Sequence, residues 1–278
     1  MKRVLSIAVA LLLGISLQAQ QKPADGAFSV LDSLVTNYLE GMQLESVETK
    51  QGECDFLIRS LRDSLMAEHI AVKLFNYYKE APVMGDEAVA IYLYDKWFAG
   101  GRFSFPGEFG GLEAELFCNM NRNTLLGMDA PVLEARKPCG GRVSVPEKGV
   151  TTLLWFYDTA CSKCRAEAKV LPSVLKSSVD FPVTLVAFYS GQDRRAWRKF
   201  RREFRVDSPF VKVVHCWDPE VGSDFLRLYG VVSTPKMYMV APEGSIIGRR
   251  LEVESLQQLL PTAKSIHSLF SSTNKNNK

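Results

Sequence analysis

The chain has 278 residues, of which 46% are hydrophobic and 23% are charged, and this composition is typical of a soluble globular protein long enough for two domains. Its formal net charge is only +3. These values exclude a protein that is drawn to nucleic acid or to acidic membranes by its overall charge.

The first residues have the layout of a secretory signal peptide. Lys2 and Arg3 precede an apolar core from Val4 to Leu13, which is too short to span a bilayer, and small and polar residues follow. We predict that residues 1–19 are removed by cleavage after Ala19; an uncleaved membrane anchor is the alternative. No later stretch approaches about 18 consecutive apolar residues, so a periplasmic protein without stable membrane insertion is expected.

Residues 20–126 are predicted to form a small all-α domain. Apolar residues recur at spacings of three and four, which indicates helices over 28–42, 54–78, 86–98 and 112–126. Asp86 is a candidate N-cap for the third of these helices. The region shows no catalytic cluster, and we interpret His69 as an ordinary surface or core histidine.

From residue 127 the pattern changes to alternating strands and helices. Glycine and proline become frequent, and short strand-like pieces flank the turn "CGG". Further strands are predicted over 151–157, 183–189, 210–216, 236–241 and 245–253, with helices between most of them. This alternation predicts an α/β domain over residues 127–270. Residues 271–278 form a polar tail that we expect to be disordered.

Cys161 and Cys164 form a CxxC pair between strand 151–157 and the helix after it. A sulfur at the start of a helix lies near unpaired backbone N–H groups and the positive end of the helix dipole, which favour the thiolate. The second cysteine then lies one turn further on, close enough to attack a mixed disulfide formed by the first. Lys163 and Arg165 are expected to lower the thiolate pKa further.

Other uses of a CxxC pair fit this sequence less well. A c-type haem site needs a histidine directly after the second cysteine, where the chain has Arg165. A structural zinc site usually has a second cysteine pair, which is absent, and His215 and Cys216 belong to a different predicted strand. A thiol peroxidase has a threonine three residues before its reactive cysteine, and Asp158 stands there before Cys161.

The C-terminal region resembles the TlpA/ResA-like thiol-disulfide oxidoreductases of the thioredoxin superfamily. The segments "GMDAPVLEA", "LLWFYDTACSKCRAE" and "STPKMYMVAPEGSIIGR" carry the resemblance. It implies a thioredoxin-like fold, with a central sheet flanked by helices, in which Cys161 is the nucleophile and Cys164 resolves the mixed disulfide. It also implies that Thr234 and Pro235 form a cis peptide beside the sulfurs, where substrate binds.

Glu167 matches a glutamate that many members of this family place beneath the motif, where it could accept the proton of the resolving thiol. A solvent-facing helix residue is the alternative. The chain departs from the family at Ala160, where a tryptophan is usual, and at Trp155, which stands where thioredoxins bury an aspartate. These departures leave the substrate and the redox potential open.

The first hundred residues resemble a helical domain of unknown function that is often found upstream of such thioredoxin-like domains. The segment "YYKEAPVMGDEAVAIYLYDKWF" carries that likeness, which implies an architecture and no activity.

The sequence therefore predicts an exported thiol-disulfide oxidoreductase that acts on protein disulfides. The family resemblance favours a reductant of envelope proteins that receives electrons from a membrane donor. It implies neither an organic cofactor nor a metal, and the net charge predicts no nucleic-acid partner. Two alternatives remain: a scaffold protein with a structural CxxC disulfide, and a copper delivery protein, since thiolates suit Cu(I).

Segment 194–205 carries seven basic residues and one acidic residue, with Trp197, Phe200 and Phe204 at helical spacing. We interpret it as an amphipathic helix whose aromatic residues pack on the sheet while the arginines stay solvated. A helix that binds membranes or nucleic acid is the alternative.

Four other cysteines are scattered along the chain: Cys54, Cys118, Cys139 and Cys216. Each is expected either to be a small buried apolar residue or to form a structural disulfide.

Overall fold

The computed structural model describes residues 28–80 and 82–276, and the chain divides into two compact units between Cys118 and Asn119. This division comes slightly before the expected domain boundary at residues 126/127, and independent folding of the two domains stays a prediction. The expected signal peptide, residues 1–19, lies outside the described residues. None of the described helices has the length and apolar character needed to cross a membrane.

In the described residues of the first unit, helices are the regular secondary structure and no strand is formed. Its helices are α1 (Ser29–Gly41), α2 (Val47–Ser60), α3 (Ser64–Lys79), α4 (Glu87–Leu93), which continues as a π-helical turn (Tyr94–Phe98), and α5 (Gly110–Asn121), within which the two units divide. The single helix expected over 54–78 is wrong. The chain breaks after α2 at Leu61, and Asp63 caps α3 by accepting the Met66 N–H at 2.9 Å.

An ion pair is buried inside the first unit. The Lys50 ammonium donates to the Asp86 carboxylate at 2.7 Å and to the Gln43 carbonyl at 2.9 Å, and the two charged residues are 1% and 3% exposed. Asp86 occupies the predicted N-cap position of α4, but its side chain makes no capping hydrogen bond. The carboxylate instead compensates a buried charge, since an unpaired ammonium in this position would be strongly unfavourable.

The second unit is built on a mixed sheet of seven strands in the described residues, in the order β2-β1-β5-β4-β3-β6-β7. The strands are β1 (Leu133–Arg136), β2 (Arg142–Val145), β3 (Thr151–Tyr157), β4 (Val183–Tyr189), β5 (Val211–Trp217), β6 (Lys236–Val240) and β7 (Ile246–Gly248). The helices are α6 (Ser162–Ser178), α7 (Arg194–Glu203), α8 (Phe225–Leu228) and α9 (Val253–Asn276). The predicted α/β class, a central sheet flanked by helices, is confirmed.

The central strand β3 is buried along its whole length. Its side chains alternate between two hydrophobic clusters, with Trp155 packed among residues of α6, α7 and α9, and Phe156 packed on the opposite face beside α8. Because helices and loops cover both faces, the strand carries apolar side chains on both faces after Thr151 and Thr152, and its sequence shows no alternation. The same reason accounts for the apolar run of β4.

The last elements differ in length from the sequence predictions. Strand β7 covers only Ile246–Gly248, because the chain then turns through Arg250, whose φ of 52° lies in the left-handed region. Helix α9 starts at Val253 and continues to Asn276, past the predicted end at residue 270.

We predict that Lys50→Met destabilises the protein by about 3–5 kcal/mol, because the variant leaves the Asp86 carboxylate buried without its partner. Urea unfolding should measure the loss. The double variant Lys50→Met/Asp86→Leu should recover most of it. Lys73→Met is the matched control, since Lys73 lies 3.9 Å from a partly exposed Asp32, and it should cost less than about 1 kcal/mol. Equal losses in both single variants would contradict the prediction.

Candidate active site

The loop between β3 and α6 holds the first cysteine at the start of the helix. The Asp158 carboxylate accepts the Ala160 N–H at 2.8 Å, and its carbonyl accepts the Cys161 N–H at 3.2 Å. The Arg165 guanidinium donates to the carbonyls of Thr159 and Ala160 at 3.0 and 2.7 Å. Arg165 therefore fastens the loop to the first turn of α6.

Cys161 is the N-cap residue of α6, and its sulfur accepts the backbone N–H of Cys164 at 3.1 Å. Cys161 is partly exposed, whereas Cys164 is 1% exposed; both are thiols in this structure. A sulfur in the N-cap position stabilises negative charge, because it receives hydrogen bonds from N–H groups that have no partner within the helix. The pair thus consists of an accessible sulfur and a shielded one.

The two cysteines have opposite pKa shifts. Partial burial raises the pKa of Cys161, but hydrogen bonds from the Cys164 thiol, the backbone N–H groups of Cys164 and Lys163, and the Thr234 side chain outweigh this effect and lower it below the ordinary value. Burial, followed by the hydrogen bond with Cys161, raises the pKa of Cys164. At neutral pH the accessible sulfur is the better candidate for the thiolate.

The charge of Lys163 contributes less than the sequence suggested. Its ammonium pairs with the Glu252 carboxylate at 2.5 Å, and both side chains are more than half exposed to solvent. Hydrogen bonds to the Cys161 sulfur, rather than a neighbouring ammonium, account for the lowered pKa of Cys161.

The Thr234–Pro235 peptide bond is cis and lies beside the reactive sulfur. The Cys161 thiol donates to the Thr234 carbonyl at 3.2 Å. Strand β6 begins directly after Pro235, and its Lys236 is paired with Phe156 near the end of β3. The sheet register therefore places this peptide against the start of α6. The structure also contains a second cis peptide bond, Val145–Pro146, which was not predicted.

Glu167 is buried beneath the motif, at 8% exposure, so the solvent-facing alternative is wrong. Its carboxylate accepts the indole N–H of Trp155 at 3.1 Å. Burial raises the pKa of Glu167, while the hydrogen bond from Trp155 and the charge of Lys163 oppose the rise. The carboxylate makes no hydrogen bond with the Cys164 thiol, although the two residues share a face of α6.

A cavity of about 440 Å³ lies beside Cys164, between α6 and α7. Its walls combine apolar side chains, among them Ala168 and Phe200, with the basic side chains of Arg165 and Lys199. The sequence did not predict this cavity, because only the packing of the two helices creates the space. The helical spacing of Phe200 and Phe204, which both line it, was the one available signal.

The remaining cysteines lie apart from the pair. Cys54, Cys118 and Cys216 are buried and Cys139 is exposed, and no disulfide is formed among the described cysteines. Within residues 28–80 and 82–276, no group of three or more His, Cys, Asp or Glu side chains is arranged to hold a metal ion.

We predict that Cys164→Ala raises the pKa of Cys161, because the variant removes the hydrogen bond from the Cys164 thiol. Cys164→Ser, which keeps a donor at that position, should give a smaller rise. The pH dependence of the iodoacetamide alkylation rate of Cys161 measures the pKa, in a Cys139→Ser background that removes the exposed thiol. Identical alkylation profiles for the three proteins would show that the backbone N–H groups alone stabilise the thiolate.

We also predict that Trp155→Phe raises the pKa of Glu167 further, because the indole hydrogen bond favours the ionised carboxylate. Carbon-13 NMR of labelled glutamate carboxyl groups across a pH titration measures the change. Trp197→Phe is the control, since Trp197 is buried in the same cluster without a hydrogen bond to Glu167. A lower or unchanged pKa in Trp155→Phe would contradict the assigned effect of the indole.

No family model matches the chain, but one curated protein and several solved structures are similar to it. The chain is similar to the thiol-disulfide oxidoreductase ResA of Bacillus subtilis (strain 168), with 25% identity over 122 residues, and the match covers 44% of this chain and 64% of ResA. It therefore spans slightly less than two thirds of that relative's length.

Solved structures give a second comparison. A thioredoxin-like protein from Bacteroides caccae superposes with a TM-score of 0.64 and 15% identity, over 84% of each chain. The thioredoxin domain of a thiol-disulfide oxidoreductase from Bacteroides vulgatus matches with a TM-score of 0.43 and 24% identity, over 49% of this chain and 96% of that one. The chain thus has a thioredoxin-like fold, and it resembles the TlpA/ResA-like thiol-disulfide oxidoreductases.

Proposed function

We propose that the protein is an exported thiol-disulfide oxidoreductase that exchanges disulfides through Cys161 and Cys164. One observation carries the proposal: the accessible Cys161 sulfur accepts a backbone N–H at the start of α6, while the Cys164 thiol lies shielded one turn further along the helix. This asymmetry separates a nucleophile, which needs access and a low pKa, from a resolving thiol, which needs neither.

The reaction consists of two exchange steps. The Cys161 thiolate attacks one sulfur of a substrate disulfide; that S–S bond breaks, a mixed disulfide forms, and the departing substrate thiolate takes up a proton. Cys164 then loses its proton and attacks the Cys161 sulfur, which releases the second substrate thiolate. The substrate gains two electrons and two protons, and the protein finishes with a Cys161–Cys164 disulfide.

Glu167 is the proposed acceptor of the Cys164 proton. Burial has already raised its pKa, which brings it closer to neutral pH and makes it a better base than an exposed carboxylate. Because the carboxylate has no hydrogen bond with the thiol, the proton would pass through an intervening water molecule. Thr234 and Pro235 are proposed to bind the substrate backbone, since the Thr234 carbonyl already lies at the reactive sulfur.

The proposed direction is reduction of envelope protein disulfides in the periplasm, with electrons supplied by a membrane donor. The resemblance to ResA-like proteins and the layout of residues 1–19 support this direction. A scaffold with a structural disulfide and a copper carrier are the other outcomes of the test below.

Equilibration of the protein with graded ratios of reduced to oxidised glutathione, followed by alkylation and mass analysis, tests the proposal. We expect one reversible two-electron transition confined to Cys161 and Cys164. A midpoint near roughly −270 mV would identify a reductant, and one near roughly −120 mV an oxidant. Cys139→Ser should leave the transition unchanged, and Cys161→Ser should abolish it.

Two results would contradict the proposal. A pair that stays oxidised at every glutathione ratio would identify a structural disulfide and favour the scaffold. A pair that forms no disulfide and retains copper in stoichiometric amounts after purification under reducing conditions would favour the carrier.

A further inference from the structure

Helix α7 presents a basic surface that the proposed redox chemistry does not use. Trp197 on this helix and Phe204 directly after it are buried in the core of the second unit. This packing confirms the aromatic part of the sequence interpretation, and it leaves Arg194, Arg198, Arg202 and Arg205 exposed to solvent.

Two cavities lie along this surface. The first, of about 540 Å³, is lined by side chains from the β1–β2 hairpin, α7 and the end of β5. The second, of about 610 Å³, is lined by the same hairpin, by the C-terminal half of α7 and by β5. Both cavities include Lys137 and Pro138, so they adjoin each other at the hairpin.

The lining of the two cavities is strongly cationic. Among the described residues, nine basic side chains line them: Arg136, Lys137, Arg142, Arg194, Arg198, Arg201, Arg202, Arg205 and Lys212. Glu147 is the single carboxylate described there. Basic side chains therefore converge here from three separate elements, although the whole chain has a net charge of only +3.

These charges are largely uncompensated. Within the described part of the chain, only Arg136 of the nine forms an ion pair, with Glu220 at 2.5 Å. Along α7, Arg194, Arg198 and Arg202 follow each other at intervals of four residues, where like charges repel and destabilise the helix. The arrangement opposes helix stability unless an external anion compensates it.

Two buried polar atoms on the wall of the second cavity have no hydrogen-bond partner in the described structure. They are Arg201 Nε, which is a donor, and His215 Nδ1. Buried polar groups in folded proteins are nearly always hydrogen-bonded, so these two unpaired atoms are locally unfavourable, and both lie beneath the accessible surface of the cavity.

The pKa of His215 reflects both its burial and the positive charges around it. Burial, together with the charges of Arg201 and Arg205, lowers the pKa of His215 to about 4. The other charged groups that line the cavity are Lys137 on the hairpin, Arg202 on α7, Lys212 on β5 and Glu147. Because cations dominate from every side, an anion bound in the cavity would raise the pKa of this imidazole.

We propose that the second cavity binds a multivalent phosphate-bearing anion, with Arg202, Arg205 and Lys212 binding its phosphate oxygens at the rim. Guanidinium groups bind phosphate oxygens in pairs of parallel hydrogen bonds, and a cavity of this volume suits a small ligand. A flat membrane or a nucleic-acid duplex would contact the rim without filling the cavity. A soluble phosphate compound and the headgroup of an anionic lipid share the required chemistry.

Titration of the full chain with tripolyphosphate, followed by calorimetry and by NMR of the imidazole rings, tests the proposal. The chain has three histidines, so the ring signals can be assigned individually. We expect saturable binding with one ligand per chain, a shift of the His215 signals with a higher pKa, and unchanged signals for His69 and His267. Arg205→Gln/Lys212→Gln should weaken binding by about tenfold or more, since both side chains are exposed rim contacts.

A charge-matched control separates this site from nonspecific attraction. Arg62→Gln/Lys79→Gln removes the same charge from side chains that do not line either cavity, and it should leave the dissociation constant unchanged. Equal weakening in both double variants, or binding that does not saturate, would overturn the proposal. Cys161→Ser should bind normally, which keeps this test independent of the redox proposal.

Vesicles that contain phosphatidylglycerol distinguish the two sources of phosphate. Vesicle binding that tripolyphosphate competes away, and that Arg205→Gln/Lys212→Gln weakens, would identify a lipid headgroup as the ligand of the same site. Absence of vesicle binding, with tripolyphosphate binding retained, would identify a soluble ligand. Binding of vesicles, of an acidic peptide or of RNA that tripolyphosphate does not displace would overturn the proposal in favour of a surface contact.

Discussion

The pairing of β3 with its two neighbours is the constraint on which the site depends. The strand is parallel to β4 over its whole length and antiparallel to β6, with Phe156 opposite Lys236. The first pairing sets where β3 ends and α6 begins, which places Cys161 at the helix N-terminus. The second brings the Thr234 carbonyl to its sulfur. A register slip of one residue would exchange the two faces of β3 and separate these groups. Burial of both faces therefore helps to fix the register that the site needs.

The difference between the two cysteines arises from position and not from chemical type. Both belong to one helical turn, yet the pKa of Cys161 is lowered and that of Cys164 is raised. The two pKa values differ because several hydrogen bonds converge on the Cys161 sulfur, whereas the Cys164 sulfur is buried. Below the motif, the buried Glu167 carboxylate on α6 accepts the indole N–H of Trp155. Trp155 occupies the position on β3 where thioredoxins bury an aspartate. The fold therefore places a buried carboxylate on the helix instead of on the strand.

The near-neutral net charge of the chain conceals an uneven distribution. Ion pairs accompany many of the lysines, including Lys50, Lys163 and Lys264, whereas the outer face of α7 and the adjoining hairpin form an almost unbroken cationic surface. The net charge of a chain governs its long-range attraction to other molecules, whereas the electrostatic potential at one place on the surface depends on which side chains the fold brings together there. The composition of the chain is thus a poor guide to the potential at any one cavity.

The sequence by itself determined the elements whose cause is local. The strands Thr151–Tyr157 and Val183–Tyr189 were predicted to the residue, because an uncharged run of seven apolar and β-branched residues bounded by polar residues and turns favours a buried strand. The position of the CxxC pair at a helix start followed from the same pattern. Only the tertiary structure decided the burial of Glu167, the pairing of Lys163 with Glu252, and the meeting of Lys137 and Lys212 with α7. Each of these depends on contacts between residues far apart in sequence, for which neither spacing nor composition carries a signal.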